Sequence, residues 1–290
     1  MSEMVLLKTE AVARFVAEGF LSFEALIPEE VNQAFLQEFS AAGEAPKVRL
    51  PAFLPGTRWS ECAWGKSLSR LLQHPVVLGA IQSLVGESPI FDHHHIHLAQ
   101  PQAHTAQHNH QDSTVDPRET AFDIQLMYFP HEVTSEMGGT RYIPGTHLRR
   151  VHESQIARYQ NLKGQVRVCC PAGTVLVLHH GLWHGAGRNT SAVPRFMYKL
   201  RLQPSGPQIR LWETSDLDDS DLQRWQRPIF HGPPSTVPDS IPEILMKSHP
   251  WFDNEGRLEY INRIRLWRAL LGRPEVDIDY WMTRLETPKA

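Results

Sequence analysis

The pattern of hydrophobic and polar positions divides the chain into a helical beginning, a β-rich middle and a mixed end. Within residues 8–45, the runs LKTEAVARFVAEGF and PEEVNQAFLQEFSAAG carry apolar side chains near a spacing of 3.6. The first run ends on Gly19 and the second begins at Pro28, as helices commonly do. HPVVLGAIQSLVG (74–86) predicts a third helix, so residues 8–86 are expected to form an N-terminal helical region.

From about residue 90 the pattern changes to short β-type runs separated by Gly, Pro, Asn and Thr. This spacing favours an antiparallel sandwich or barrel over parallel βαβ units. We therefore predict a mainly β core over residues 90–205. The runs are PIFDHHHIHLA, FDIQLMYFP, TRYIP, QVRVCC, GTVLVLHH and RFMYKLRLQ.

The last part of the chain, residues 206–290, is first polar and proline-rich and then helical again. Its two helical stretches are LEYINRIRLWRALLG and YWMTRLE. These are too apolar for free helices in water, so we expect this extension to pack on the β core. The whole chain, 1–290, is accordingly predicted to be a single domain.

Composition and charge narrow the class of protein. The 290 residues are 41% hydrophobic and 21% charged, which is typical of a globular protein. The net charge of −3 gives no reason to expect nucleic acid or a membrane surface as a partner. The sequence has no secretory signal, and its three cysteines have no CxxC spacing. We expect a cytoplasmic monomer or homodimer that binds a small molecule.

Seven histidines lie between His93 and His110, and some of them are candidate metal ligands. In a regular strand, residues two apart point the same way about 6.6 Å apart. His108 and Asp112 would then be about 13 Å apart, too far to share one ion with bonds of about 2.1 Å unless the strand breaks. The ion would use His108 and His110, or His110 and Asp112. His110 belongs to either pair.

The two pairs imply different chemistry. A His-x-His pair fits a cupin-type site with a nearby glutamate, but Glu119 comes too late for that spacing. The other pair, in the only His-x-Asp of the chain, needs one more histidine to give the ligand set of non-haem Fe(II) oxygenases. The distal segment LHHGLWHGAGRNTSAVPR supplies three competing histidines, which are His179, His180 and His184.

An arginine follows the distal histidines at the start of a predicted strand. Arg195 lies eleven residues after His184. A guanidinium at that place can pair in bidentate fashion with a carboxylate of a co-substrate bound to the metal.

Three ordered motifs, HQD (110–112), GGTRYIPGTH (138–147) and HGAGRNTSAVPR (184–195), resemble the phytanoyl-CoA dioxygenase family of Fe(II)/2-oxoglutarate oxygenases. The opening EGFLSFEALIPEEVNQAFLQEF (18–39) is also similar to the start of that family. The resemblance covers roughly residues 10–205. It implies a double-stranded β-helix (jelly roll) core of the cupin-like type with flanking helices.

The resemblance also implies roles for individual residues. His110, Asp112 and His184 would bind Fe(II), and Arg195 would bind the distal carboxylate of 2-oxoglutarate. Thr140 matches a threonine that contacts 2-oxoglutarate in some members.

Gln107 matches a glutamine three residues before the first ligand in a subset of members. In a strand it would face away from His110, so this contact requires a bulge.

The implied reaction uses O2 and 2-oxoglutarate to oxidise an unactivated C–H bond of a small molecule, giving succinate and CO2. Halogenating relatives have a small residue in place of Asp112, so the carboxylate argues for hydroxylation or a related oxidation. The alternatives are a cupin-like metal-dependent enzyme and a non-catalytic jelly roll that binds a small ligand.

Overall fold

A computed structural model describes residues 4–39, 49–112, 119–149, 161–217, 240–245, 247–249 and 256–273. The described helices are α1 (Thr9–Glu18), α2 (Glu29–Phe39), α3 (Lys66–Leu72), α4 (Pro75–Val85), α5 (Ile241–Leu245) and α6 (Gly256–Leu271). The described strands are β1 (Phe20–Phe23), β2 (Ile90–Ala99), β3 (Ile124–Phe129), β4 (Thr140–Tyr142), β5 (Val166–Arg167), β6 (Thr174–His179), β7 (His184–Ala186) and β8 (Arg195–Gln203). No helix among these described residues is long and apolar enough to cross a membrane.

Two antiparallel sheets form the core, and they confirm the predicted jelly roll with flanking helices. The larger sheet has the order β1-β6-β3-β8-β2, and the smaller has the order β5-β4-β7. Met127, Met197 and Tyr142 belong to the apolar cluster between the sheets. Every residue of β3 and β6 is buried, because one face of these strands packs inside the jelly roll and the other packs under helices.

Helix α1 ends where the sequence predicts, and the reason is steric. Gly19 has φ of 82°, and its N–H donates to the carbonyl of Phe15 at 2.7 Å. A Cβ at this glycine would lie 2.4 Å from Nδ1 of His147. Only glycine fits this left-handed, closely packed position, from which the chain turns directly into β1.

Four of the described helices and strands were not predicted from the sequence: β1, α3, β7 and α5. Strand β1 pairs with β6 from Phe20↔Leu178 to Phe23↔Val175, so the region 8–86 is not purely helical as predicted. A four-residue run has too few positions to show a period, and its strand character comes from pairing with a distant strand. Strand β7 has only three residues and likewise becomes a strand through pairing with a distant strand, β4.

The described part of the C-terminal extension packs on the helical layer. In α6 the side chains of Ile264, Trp267 and Leu270 are buried in the same apolar cluster as α1. Asn262 Nδ2 donates to the carbonyl of Leu148 at 2.9 Å. The predicted helix YWMTRLE (280–286) lies outside the described residues, and the division of the chain into three regions of one domain stays a prediction.

Buried histidines join this helical layer to the jelly roll. His147 Nε2 donates to the carbonyl of Val16 at 3.1 Å, and burial lowers the pKa of His147 to about 3. His249 lies against Ala17, and burial lowers its pKa to about 4. Both imidazoles are therefore neutral in the folded protein near pH 7.

We predict that acid destabilises the protein through these histidines. Unfolded histidine has a pKa of about 6.5, so below that pH the unfolded chain binds a proton that folded His147 does not. Stability is full above pH 6.5 and is lost as the pH falls toward 3. Between pH 7 and 5, wild type should lose about 2 kcal/mol more unfolding free energy than His147→Gln. Denaturant titrations at both pH values measure this difference.

The exposed His104 provides the control. His104→Gln should follow the wild-type pH dependence. Parallel curves for wild type and His147→Gln would show that His147 takes up its proton without unfolding.

Candidate metal centre

The segment that leaves β2 is fastened to β7 by backbone hydrogen bonds, two of which form a reciprocal pair between His110 and His184. The N–H of His110 donates to the carbonyl of His184 at 2.8 Å, and the N–H of His184 donates to the carbonyl of His110 at 3.0 Å. This bridge places the two imidazole rings with their centroids 4.5 Å apart. Residues 108–112 do not form a regular strand, so the 13 Å separation expected from alternation does not apply.

Asp112 completes a cluster with these two histidines. Its Oδ1 lies 3.3 Å from Nε2 of His110, and its Oδ2 lies 3.7 Å from Nε2 of His184. One donor atom from each residue lies within 4.8 Å of the others. Two bonds of about 2.1 Å at right angles place their donor atoms about 3 Å apart, so this spacing suits three ligands on one face of an ion.

Both imidazoles are oriented by their backbone surroundings. Nδ1 of His110 donates to the carbonyl of His108 at 3.0 Å, and Nδ1 of His184 donates to the carbonyl of Leu182 at 2.9 Å. Because Nδ1 of each ring is bonded to a backbone carbonyl, Nε2 faces Asp112 and is the nitrogen left for a metal ion. Burial lowers the pKa of His184 to about 4, which keeps that ring neutral near pH 7.

Asp112 is ionised in spite of its partial burial. Burial opposes ionisation, but the hydrogen bonds with His110 and Lys199 and the positive charge of Lys199 outweigh it, and the pKa of the carboxyl lies well below its usual range. The hydrogen bond to Asp112 in turn raises the pKa of His110. Oδ2 of Asp112 also accepts from Gln125 Nε2 and Lys199 Nζ.

The competing histidines lie elsewhere. His108 contributes its backbone carbonyl to His110, and its imidazole is not part of the cluster. His179 and His180 stack on each other with centroids 4.7 Å apart. Nδ1 of His180 contacts the backbone of Asp123. Of the histidines in the distal segment, the described structure brings only His184 to Asp112.

Arg195 is a buried cation whose charge no described carboxylate pairs with. Its side chain is 3% exposed at the start of β8, and Nη1 donates to the carbonyls of Met137, at 3.2 Å, and Gly138. Its Nε has no hydrogen-bond partner among the described residues. Leaving a buried donor unsatisfied is costly, so this guanidinium suits an anion supplied from outside the chain.

Thr140 and Gln107, the other two predicted contacts of 2-oxoglutarate, differ in exposure. Thr140 is buried on β4, on the same side of the strand as Tyr142, which faces the interior. The side chain of Gln107 is exposed, while its backbone accepts from Arg141 Nη2 at 2.8 Å and donates to Ala186 at 3.0 Å. The predicted side-chain contact of Gln107 with a co-substrate stays a prediction.

Sequence reasoning missed two residues of the site, Gln125 and Lys199. Both contact Asp112: Gln125 from β3, whose other residues are apolar or aromatic, and Lys199 from β8, which carries further charged residues. Lys199 lies four residues after Arg195 on β8, so strand alternation puts both on one face. That alternation, applied to RFMYKLRLQ, would have pointed to Lys199.

Comparison with known proteins gives matches of three kinds. The family model for phytanoyl-CoA dioxygenase (PhyH) matches residues 15–197. An uncharacterized protein of Mycobacterium tuberculosis is 35% identical over 74 residues, which is 25% of this chain and only 25% of that protein. Among solved structures, the chain is similar to HygX from Streptomyces hygroscopicus, which was crystallised with nickel and 2-oxoglutarate bound. The two are 16% identical, and the match covers 73% of this chain and 93% of that chain with a TM-score of 0.54.

AviO1 from Streptomyces viridochromogenes Tue57 is also similar. It is 17% identical, with 70% of this chain and 97% of that chain covered and a TM-score of 0.50. At such identities the two structural matches show a shared fold.

We predict that Gly185→Ala disturbs the centre without touching a ligand. A Cβ on Gly185 would lie 2.9 Å from the carbonyl oxygen of His108 and 3.0 Å from that of Gln107. The added methyl should push this segment, and His110 with it, away from β7. Divalent metal affinity, measured by titration, should fall by about 10- to 100-fold, as when the supports of a ligand are lost.

Gly206→Ala is the matched control, because a Cβ there meets nothing within 4 Å. A Gly185→Ala protein that binds metal as tightly as this control would show that the bridge is not what positions His110.

Proposed function

The chain belongs to the phytanoyl-CoA dioxygenase (PhyH) family, and on that premise we propose that it is an Fe(II)/2-oxoglutarate-dependent oxygenase of a small molecule. The observation that carries the proposal is the cluster of His110, Asp112 and His184, with one donor atom from each within 4.8 Å of the others. These three residues are the proposed ligands of the iron.

The donor set fits Fe(II). Two neutral imidazoles and one carboxylate on one face leave three of six positions open for a co-substrate, O2 or water. When bound, iron and 2-oxoglutarate supply the oxidising chemistry, with succinate and CO2 as co-products. The chain keeps the ligands in place: the backbone bridge holds His110 beside His184, and Gln125 with Lys199 orients Asp112.

Arg195 is the proposed partner of the distal carboxylate of 2-oxoglutarate. Support comes from its burial, its unsatisfied Nε and the lack of a described acid beside it. Thr140, buried on the interior side of β4, is proposed as a further contact. Gln107 is kept as a contact that would require its exposed side chain to turn inward.

Hydroxylation is the favoured outcome, although desaturation or ring formation uses the same centre. Asp112 already supplies an anionic ligand at the third position, so no protein position is vacant for a halide. The partly buried carboxylate is also held by two side-chain donors, which fix its orientation.

Succinate formation tests the proposal. Purified protein supplied with Fe(II), 2-oxoglutarate and O2 should release succinate, and omission of Fe(II) or O2 should stop it. His184→Ala should abolish this release, because one of three ligands is lost. His108→Ala, which changes a neighbouring histidine outside the cluster, should retain it. Equal succinate release by wild type and His184→Ala would overturn the ligand assignment.

Arg195→Ala should weaken 2-oxoglutarate binding. A hydrogen bond to a charged group contributes roughly 1.5–3 kcal/mol, so the KM for 2-oxoglutarate should rise about 10- to 150-fold. The effect should fall mainly on KM, because the pair is formed in ground and transition states alike. Arg195→Lys should restore only part of the loss, since an ammonium lacks the planar fork.

The exposed Arg188, in the same segment, provides the control. Arg188→Ala should keep the wild-type KM for 2-oxoglutarate. An unchanged KM in Arg195→Ala would remove the co-substrate role from Arg195.

A further inference from the structure

A polar face on strands β8 and β2 lies beside the proposed iron site. In the antiparallel pair, His97 lies opposite Met197, and His95 lies opposite Lys199. Directly opposite residues share a face of the sheet, and Met197 belongs to the interior cluster. His95, His97 and Lys199 therefore project toward the interior of the jelly roll, where Lys199 reaches Asp112.

This face carries more positive than negative charge. Arg195 and Lys199 are both buried, and Asp112 is the one described carboxylate that pairs with either. Fe(II) and the dianion 2-oxoglutarate cancel each other in charge. Asp112 therefore balances one of the two cations, and one positive charge on this face has no described counter-ion. A buried unbalanced charge is costly, so an anion that reaches this face is favoured.

His97 stands between the two cations and offers free ring nitrogens. It lies diagonally across from both Arg195 and Lys199 on the neighbouring strand. Its ring contacts His95 at a centroid distance of 5.0 Å, and neither nitrogen has a hydrogen-bond partner among the described residues. Burial, helped by the charges of His95 and Lys199, lowers the pKa of His97 to about 4. It is then a neutral imidazole that can donate one hydrogen bond.

Residues of this face become more exposed toward β2. That strand is at the edge of the five-stranded sheet, and His95 is exposed while His97 is partly buried. Exposure thus decreases from His95 through His97 to the buried Lys199. A molecule entering along this direction would meet hydrogen-bonding imidazoles first and the ammonium group last.

We propose that the substrate of this oxygenase is a small oxyanion, a carboxylate or a phosphate, whose acidic group is bound by Lys199 and His97. The inference rests on the proposed function, and it adds the chemical class of the substrate. Lys199 supplies the charge, and His97 supplies a directed hydrogen bond. Together they would hold the acidic group beside the iron and leave the rest of the molecule in the open positions of the site.

Matched probes test this inference without knowledge of the natural substrate. Benzoate, phenyl phosphate and neutral benzamide are titrated into protein held anaerobically at saturating Fe(II) and 2-oxoglutarate. The co-substrate then occupies Arg195, so that the probes report on the second cation. At least one of the two anions should bind more tightly than benzamide. Lys199→Met should weaken binding of that anion by about 10- to 150-fold, with little effect on benzamide.

Further variants show whether Lys199→Met weakens anion binding through loss of the positive charge or through a change in the fold. Lys199→Arg should keep the preference for the anion, because it keeps the positive charge. His97→Leu should weaken anion binding by several fold, since one neutral hydrogen bond is lost. Lys66→Met changes an exposed lysine on the helical layer and should behave as wild type. The affinities for Fe(II) and 2-oxoglutarate are measured for every variant, so that saturation is assured.

Two results would overturn the inference. The first is equal binding of all three probes, or no binding, to wild-type protein that has bound Fe(II) and 2-oxoglutarate. The second is an unchanged anion preference in Lys199→Met, which would leave Lys199 as a support of Asp112 alone. Failure of the proposed function is distinguishable, because wild type would then show no Fe(II)-dependent binding of 2-oxoglutarate.

Discussion

The site depends on the two backbone hydrogen bonds between His110 and His184. They join a segment without regular structure to a strand of only three residues, which also pairs with β4. The bridge sets the imidazoles side by side and leaves Asp112, two residues on, within 3.3 Å of His110 Nε2 and 3.7 Å of His184 Nε2. The ligand geometry is thus a consequence of backbone pairing, and side-chain contacts refine it.

Burial of charge is the second constraint. The jelly-roll interior contains Asp112, Lys199 and Arg195 within surroundings that are otherwise largely apolar. Each charge needs a partner there, because the low dielectric makes an unpaired ion expensive. The charge of Asp112 is paired with Lys199, whereas among the described residues Arg195 donates only to backbone carbonyls. Because the charge of Arg195 has no described partner of opposite sign, the interior is suited to an anion from outside the chain.

The helices around the jelly roll show how much the sequence predicts. Apolar periodicity and the glycine at position 19 locate α1 to its last residue, because both signals are local. The β-type runs locate β2 and β8 within a residue or two for the same reason. Strands β1 and β7 escape prediction, since a run of three or four residues becomes a strand only through a distant partner.

In the candidate site, too, some residues could be predicted from the sequence and others could not. Motif resemblance selected His110, Asp112 and His184, and the structure brings them together. Spacing alone left His179 and His180 open, because the chain turns sharply after β6 and strand alternation does not extend through the turn. Lys199 and Gln125 were missed because their roles arise from contact with Asp112, which lies in a segment outside the strands. Alternation puts Lys199 on the same face of β8 as Arg195, but no local pattern shows where Asp112 folds against that face.

The central claim is that His110, Asp112 and His184 form one iron site, and diffraction at the iron absorption edge tests it most directly. Crystals of the iron-loaded protein should show a single anomalous peak at about 2.0–2.3 Å from Nε2 of both histidines and from an oxygen of Asp112. The remaining positions should be filled by water or 2-oxoglutarate. A peak coordinated by His108 or His180, or no peak in protein loaded with Fe(II), would contradict the account.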